Sequence, residues 1–257
     1  MKVEGIRAHT APRTAVVWAV LKAELDRRAG QPLQPLQVLD VGGGTGGFAV
    51  PLAQAGHRVT VVDASPDALA ALNRRAAEAG VAERIHAVQG DADKLGDVAA
   101  PASVDLVLCH SVLEVVDSPV AAAEAVAAVL RPRGVASVLV ANRAAAVLSR
   151  ALSGNLGQAA TLLDDPDGRA GSKDTLLRRF DVPQAAALLT AAGLQVEQIH
   201  GVRIVADLVP GALLDTEPGA YDALLDFELR AAGRSPYRDL ATQLHLLARR
   251  TDPGEPR

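Results

Sequence analysis

Val38-Leu39-Asp40-Val41-Gly42-Gly43-Gly44-Thr45-Gly46 is the stretch that decides the fold. An apolar run with Pro35 before it and glycines after it reads as a strand buried on both faces. The glycines let the chain turn sharply and let a ligand approach the backbone closely. Gly46 to Ala55 then predicts a helix, ended by Gly56. A strand, a glycine turn and a helix form the first unit of a nucleotide-binding α/β sheet.

Outward from that unit the alternation continues. His57–Val62 predicts a second strand ending at Asp63, and Ser65-Pro66 opens a helix that runs to Gly80. Ile85–Gln89 and Val104–Cys109 follow as strands, Pro119–Leu130 as a helix stopped around Arg131-Pro132-Arg133-Gly134, and Val135–Val140 as a fifth strand. Upstream, Pro12 followed by Val16, Val17, Val20, Leu21 and Leu25 has helical spacing, with Gly30 as its stop and a linker over Gln31–Pro35. After Ala141 the rhythm breaks. Ala144–Leu152 reads as helix and the polar Leu163–Lys173 as neither strand nor core, so 142–180 reads as a lid over the carboxyl edge of the sheet. A helix over Val182–Ala192, a strand over Leu194–His200, a helix over 217–232 and a strand over Leu244–Ala248 complete the pattern before a frayed tail, Thr251–Arg257. The expectation is one domain with a mostly parallel seven-stranded sheet, helices on both faces and a helical lid. Its divisions are a ligand-binding core at 30–141, the lid at 142–180 and a C-terminal, substrate-side part at 181–250.

Composition bounds the function. Of 257 residues 49% are hydrophobic and only six are aromatic, so the core is aliphatic and few rings are available to stack on bases. A single cysteine, Cys109, excludes an internal disulfide and a cysteine-built zinc site; at the end of a buried strand it reads as inert packing. Neither a leader peptide nor a long uncharged apolar run is legible, which predicts a soluble cytoplasmic protein with no membrane partner. The net charge of −4 is unlike that of a protein living on phosphate contacts. Two segments are nevertheless locally basic: 1–30, with six Lys/Arg against three acids, and 142–180, with six against four. They either meet on one face or are simply solvated.

The charged residues at the strand ends narrow the ligand. A pyrophosphate prefers a helix N-terminus free of negative charge, whereas S-adenosylmethionine has no phosphate and carries a sulfonium and an ammonium. Asp40 suits the latter; it equally reads as a buried carboxylate bracing the glycine loop. Asp63 stands where an acid accepts bonds from both ribose hydroxyls, or else caps the helix at Ser65. Asp91, after the third strand, is placed for an adenine amino group or is a turn residue. His110 opens the loop after the fourth strand and is a candidate to orient the donor, touch the acceptor or act as base. Glu114 reads either as a site residue or as one that caps or pairs on the following helix. Arg203 matches a carboxylate acceptor through paired guanidinium bonds, or forms an ion pair with Asp207. The remaining histidines lack ligand spacing, so no metal site is expected.

Asp40, Gly42-Gly43-Gly44-x-Gly46, Asp63, Asp91 and the strand Asp105–Cys109 together resemble the class I S-adenosylmethionine-dependent methyltransferases. A closer resemblance, to the bacterial tRNA 5-carboxymethoxyuridine methyltransferases, runs through several further stretches. These are His110-Ser111-Val112-Leu113-Glu114, Val129-Leu130-Arg131-Pro132-Arg133-Gly134-Val135, Ser153-Gly154-Asn155, Gly201-Val202-Arg203 and Tyr221-Asp222-Ala223-Leu224-Leu225, with Arg13 and Trp18 near the start. The chain departs from that pattern at Ala141, where an aromatic residue is usual, and at the acidic Leu163-Asp164-Asp165-Pro166-Asp167, where a basic stretch is usual. The resemblance implies a Rossmann-like fold and S-adenosylmethionine as cofactor. It places Arg13 on the cofactor carboxylate, Gly42 and Gly43 on it through their backbones, Asp63 on ribose, and His110 beside methyl transfer. The resemblance favours methylation of a tRNA wobble carboxylate, the acidic balance and few aromatics favour methylation of a small metabolite, and cofactor binding without catalysis is the third reading.

Overall fold

The structure, a computed structural model, describes residues 13–28 and 35–251. Pro12, Gly30, all of the linker but Pro35, the first twelve residues of the N-terminal basic segment and the tail after Thr251 lie outside the described residues. The elements in order are α1 (Ala15–Arg28), β1 (Gln37–Val41), α2 (Ala49–Gln54), β2 (Arg58–Asp63), α3 (Pro66–Glu78), β3 (Ile85–Gln89), β4 (Val104–His110) and α4 (Pro119–Val129). There follow β5 (Leu130–Ala141), α5 (Arg143–Leu152), α6 (Leu156–Asp164), α7 (Val182–Ala191), β6 (Leu194–Val202), α8 (Gly211–Thr216), α9 (Ala220–Ala231) and β7 (Gln243–Arg250).

Seven strands pair in the order β3-β2-β1-β4-β5-β7-β6. All neighbours run parallel except β7, which is antiparallel to both β5 and β6. The chain reverses its direction of travel across the sheet between β1 and β4, and ligands bind at the carboxyl ends of such a switch point. Side chains alternate between two cores. Leu39, Val41, Val107, Cys109 and Val138 face α4 and α7. Val38, Val61, Leu106, Leu108, Leu139 and Leu247 face α1, α2 and α3.

The helix starts follow from their caps. Ser65 and Ser118 accept bonds from Ala68 N and Ala121 N, each with proline in the first turn. Asp181 and Gln184 form a reciprocal capping box at α7. Asn142 caps α5 by accepting from Ala144 N, while its buried amide donates to the carbonyls of Asp239 and Ala241. Asn142→Ala is therefore expected to cost about 3 kcal/mol, because the cap is lost and buried carbonyls are left unpaired. Urea unfolding of the two proteins checks this.

Four elements differ from the sequence reading. The helix expected from Gly46 begins only at Ala49, because Gly46 has φ +81 and cannot join it. The fifth strand starts at Leu130 rather than Val135, since Leu130 already pairs with Val104 before the register shifts. Helix α6 was not legible because it is short and buries only Ala159 and Leu162; tertiary bonds hold it instead, as Arg143 donates to the carbonyls of Leu162, Leu163 and Asp165. The segment read as one helix over 217–232 starts after Gly219 (φ +82), with the six-residue α8 before it. Within α9, Glu228 is fully buried and accepts from the backbone N–H groups of Ile204, Val205 and Ala206, which shapes the chain directly after Arg203.

Candidate active site

A cleft of about 580 Å³ opens over the carboxyl ends of β1 to β4. Gly42, Asp63, Gly90, Asp91 and Lys94 line one side, and Ser111, Val112, Val115, Asp117 and Ser118 the other. Polar atoms of the glycine turn are tied to the strand ends: Gly42 N donates to Val62 O at 2.7 Å, and Gly44 N to Asp63 Oδ2 at 2.8 Å. Asp63 Oδ1 also accepts from Ser65 N at 2.8 Å, so the carboxylate braces the glycine turn and the entry to α3 while lining the cleft. The helix cap itself is Ser65, so Asp63 supports the cap residue without being the cap, and its place at the cleft is compatible with the ribose reading. Asp91 lies at the cleft rim, mostly exposed and paired with Lys94 at 3.3 Å.

Asp40 sits beneath the turn, 2% exposed, with Oδ2 buried and without a hydrogen-bond partner. A Cβ at Gly43 would lie 2.6 Å from the Asp40 carboxyl and 2.8 Å from Val61, so the backbone passes here only as glycine. Burial, reinforced by the negative charge of Asp63, pushes the Asp40 carboxyl up to about 7.

His110 lies on the same sheet face as Asp40, packed edge-on against Phe48 at 4.7 Å, with Phe48 stacked on Trp18 at 4.8 Å. The residue is half-buried, but its ring nitrogens are enclosed: Nε2 meets the Ser137 hydroxyl at 2.9 Å and Nδ1 has no partner. Burial pushes the imidazole down to about 3, so it is uncharged at neutral pH.

Glu114 belongs to the turn after β4 rather than to a helix. Its Oε1 accepts from Ala141 N at 3.2 Å, Oε2 is buried and unpartnered, and burial pushes the carboxyl up to about 7 against the opposing pull of its hydrogen bonds and Arg178. Segment 142–180 is fastened to this turn: Glu114 O accepts from Leu177 N, and Arg178 donates to the carbonyls of Leu113, Val116 and Asp117. Arg143, Arg178 and Arg179 are all engaged inside the lid or its anchor, the last with Asp174 at 2.5 Å. Three of the six cations of segment 142–180 are thus turned inward, while Arg150 and Lys173 are exposed.

At the end of β6, Arg203 pairs with Asp207 at 2.6 Å, and the exposed Arg13 reaches the same carboxylate at 3.6 Å. The ion pair that the sequence suggested for Arg203 is therefore formed, and two guanidiniums share one carboxylate. Ser111, Arg178, Ser137 and His245 were missed by the sequence reading. For Ser137 and His245 a signal existed, a polar residue in the middle of each otherwise apolar strand.

Comparison with known proteins adds the chemistry. Residues 38–134 match a family described as a methyltransferase domain. Over 241 residues the chain is 31% identical to the tRNA 5-carboxymethoxyuridine methyltransferase of Escherichia coli (strain K12), covering 93% of this chain and 88% of that protein. The chain belongs to the class I S-adenosylmethionine-dependent methyltransferases. The methyltransferase is also 33% identical over 172 residues to a ubiquinone biosynthesis O-methyltransferase of Xylella fastidiosa, covering 67% of this chain and 66% of that protein. Its fold resembles that of the 1,6-didemethyltoxoflavin-N1-methyltransferase of Burkholderia thailandensis, solved with S-adenosylhomocysteine (TM-score 0.56, 24% identity, 95% of this chain and 80% of that one).

The residues present suit S-adenosylmethionine. Among the described residues Lys94 is the one cation lining the cleft, so no cluster is there to receive a phosphate, and beneath the glycine turn one oxygen of the Asp40 carboxyl is left without a hydrogen-bond partner. When bound, the cofactor supplies a methyl group already activated on a sulfonium. What remains for the methyltransferase is alignment of an acceptor and exclusion of water.

Proposed function

We propose that this methyltransferase acts in the cytoplasm on a carboxylate of a modified tRNA wobble uridine, forming a methyl ester. One observation carries the reading. The likeness to the E. coli tRNA enzyme extends over 93% of the chain, well past residues 38–134 into the segments that this reading assigns to the acceptor side. The chemistry of the site agrees with it. A carboxylate, with a reference pKa of roughly 4, is already ionised at neutral pH and needs no general base. His110, pushed down to about 3, is a poor base. The Arg13 and Arg203 guanidiniums around Asp207 carry one positive charge in excess, which suits an anionic acceptor.

Within this reading Gly42, Gly43 and Gly44 hold the cofactor through their backbones, Asp63 its ribose, Asp91 its adenine, and Arg13 its carboxylate. Asp40 faces its cationic end, His110 borders methyl transfer, and Arg203 anchors the acceptor. A second reading, O-methylation of a small molecule, draws on the ubiquinone-pathway relative, on the net charge of −4 and on the internally engaged arginines of the lid. Transfer of tritiated methyl to bulk bacterial tRNA or to a small-metabolite extract separates the two. Label in tRNA that mild alkali releases is the expected result. Label confined to small molecules would retire the tRNA reading.

A further inference from the structure

Strand register brings together histidines that are far apart in sequence. In β5, Leu139 pairs with His110 on one side and with His245 on the other, and Ser137, two residues earlier, points to the same face between them. The Ser137 hydroxyl meets Nε2 of His110 at 2.9 Å and Nε2 of His245 at 2.8 Å. Ser137 and His245 are completely buried, and His200, opposite His245 in β6, stacks on it at 5.7 Å. Nδ1 of His110 and Nδ1 of His245 are both buried without a partner.

A serine hydroxyl owns one proton, and each of these two bridges needs one. Ser137 therefore donates to one imidazole, and the other imidazole must donate to Ser137. If both imidazoles donated, the serine proton itself would be stranded in the core. The two neutral rings are thus locked into opposite tautomers, and one Nδ1 carries a hydrogen. On His245 that N–H would be enclosed among strands and the His200 ring, and orphaned buried N–H groups are rarer than underused acceptors. Nδ1 of His110 is buried too, but the residue is partly exposed at the carboxyl end of β4 whereas His245 is wholly enclosed, so His110 is the ring whose orphaned position an acceptor bound at that edge would satisfy.

We infer that Ser137 and His245 are positioning residues that hold His110 as its uncharged Nδ1–H tautomer, so that His110 serves methyl transfer as a hydrogen-bond donor and not as a base. The inference rests on the proposed anionic acceptor, since a carboxylate is the partner that takes such a hydrogen bond. It also gives two buried residues a role that packing alone does not require.

Long-range ¹H–¹⁵N correlation spectra of the ring-labelled full-length protein test it. His110 is expected to show a protonated Nδ1 and a bare Nε2, with His245 the reverse; the opposite assignment would overturn the inference. In Ser137→Ala the lock is removed, so His110 should change tautomer population, and kcat should fall about tenfold, equivalent to one hydrogen bond, with KM for the cofactor unchanged. Ser137→Thr, which keeps the hydroxyl, and His245→Gln, which places an amide where Nε2 lay, should restore most of the rate. A His110 spectrum unmoved by Ser137→Ala counts against the lock. Because the spectra need no acceptor, they stand or fall separately from the tRNA labelling experiment.

Discussion

Asp63→Ala is expected to raise the dissociation constant for S-adenosylmethionine about 100-fold, the effect of losing charged hydrogen bonds to two ribose hydroxyls. Isothermal titration calorimetry measures it. The same substitution should destabilise the ligand-free protein by about 2 kcal/mol, because the carboxylate also receives Gly44 N and Ser65 N. Asp63→Asn separates charge from shape. One amide oxygen can still accept, so binding should weaken by only about tenfold. It also removes the negative charge that helps raise Asp40, and the Asp40 midpoint should move down. Unchanged affinity in Asp63→Ala would remove Asp63 from the cofactor site and leave it the role of bracing the turn.

The second large effect is a pH dependence centred on Asp40. Its carboxyl is raised from 3.8 to about 7, by burial first and by Asp63 second. A carboxyl that binds its proton more tightly when folded contributes stability at low pH. That contribution is lost as pH rises from about 4 to about 7, at most on the order of 4 kcal/mol. The ligand-free protein should therefore become less stable over that window, and Asp40→Asn should lose the Asp40 share of that slope, keep the share due to Glu114, and be more stable at pH 8. Cofactor affinity should run the other way. A cationic ligand favours the ionised carboxylate, so the dissociation constant should fall by up to about 10-fold per unit from pH 5 to 7. In Asp40→Asn that slope should vanish. A slope that persisted in the variant would assign the titration to another group, Glu114 being the first to examine, since burial also brings it to about 7.

Residue pattern alone carried the sheet. Runs such as Val38–Val41 and Val104–Cys109 are apolar on both faces and punctuated by glycine, proline and serine, and each became a strand in the sheet. The glycine turn and the acids at the strand ends were legible for the same reason. Their chemistry is local, and strand ends fall at the carboxyl edge wherever strands alternate with helices. Helices α6 and α8 were not legible, because neither has a long apolar stripe; α6 is held by a distant arginine, Arg143.

What only the tertiary structure decided is who meets whom. His110, Ser137, His200 and His245 lie up to 135 positions apart in a chain that gives no hint of their union. The parallel pairing of β4 with β5 and the antiparallel insertion of β7 beside β5 set them on one face, within hydrogen-bond or stacking reach. Arg143, Arg178 and Arg179 likewise look free in sequence and prove to be engaged by carbonyls and by Asp174. Periodicity and turn chemistry act between near neighbours and can be read along a line. Strand register, burial and the sharing of one hydroxyl between two imidazoles depend on distance through space, and that distance exists only once the sheet has closed.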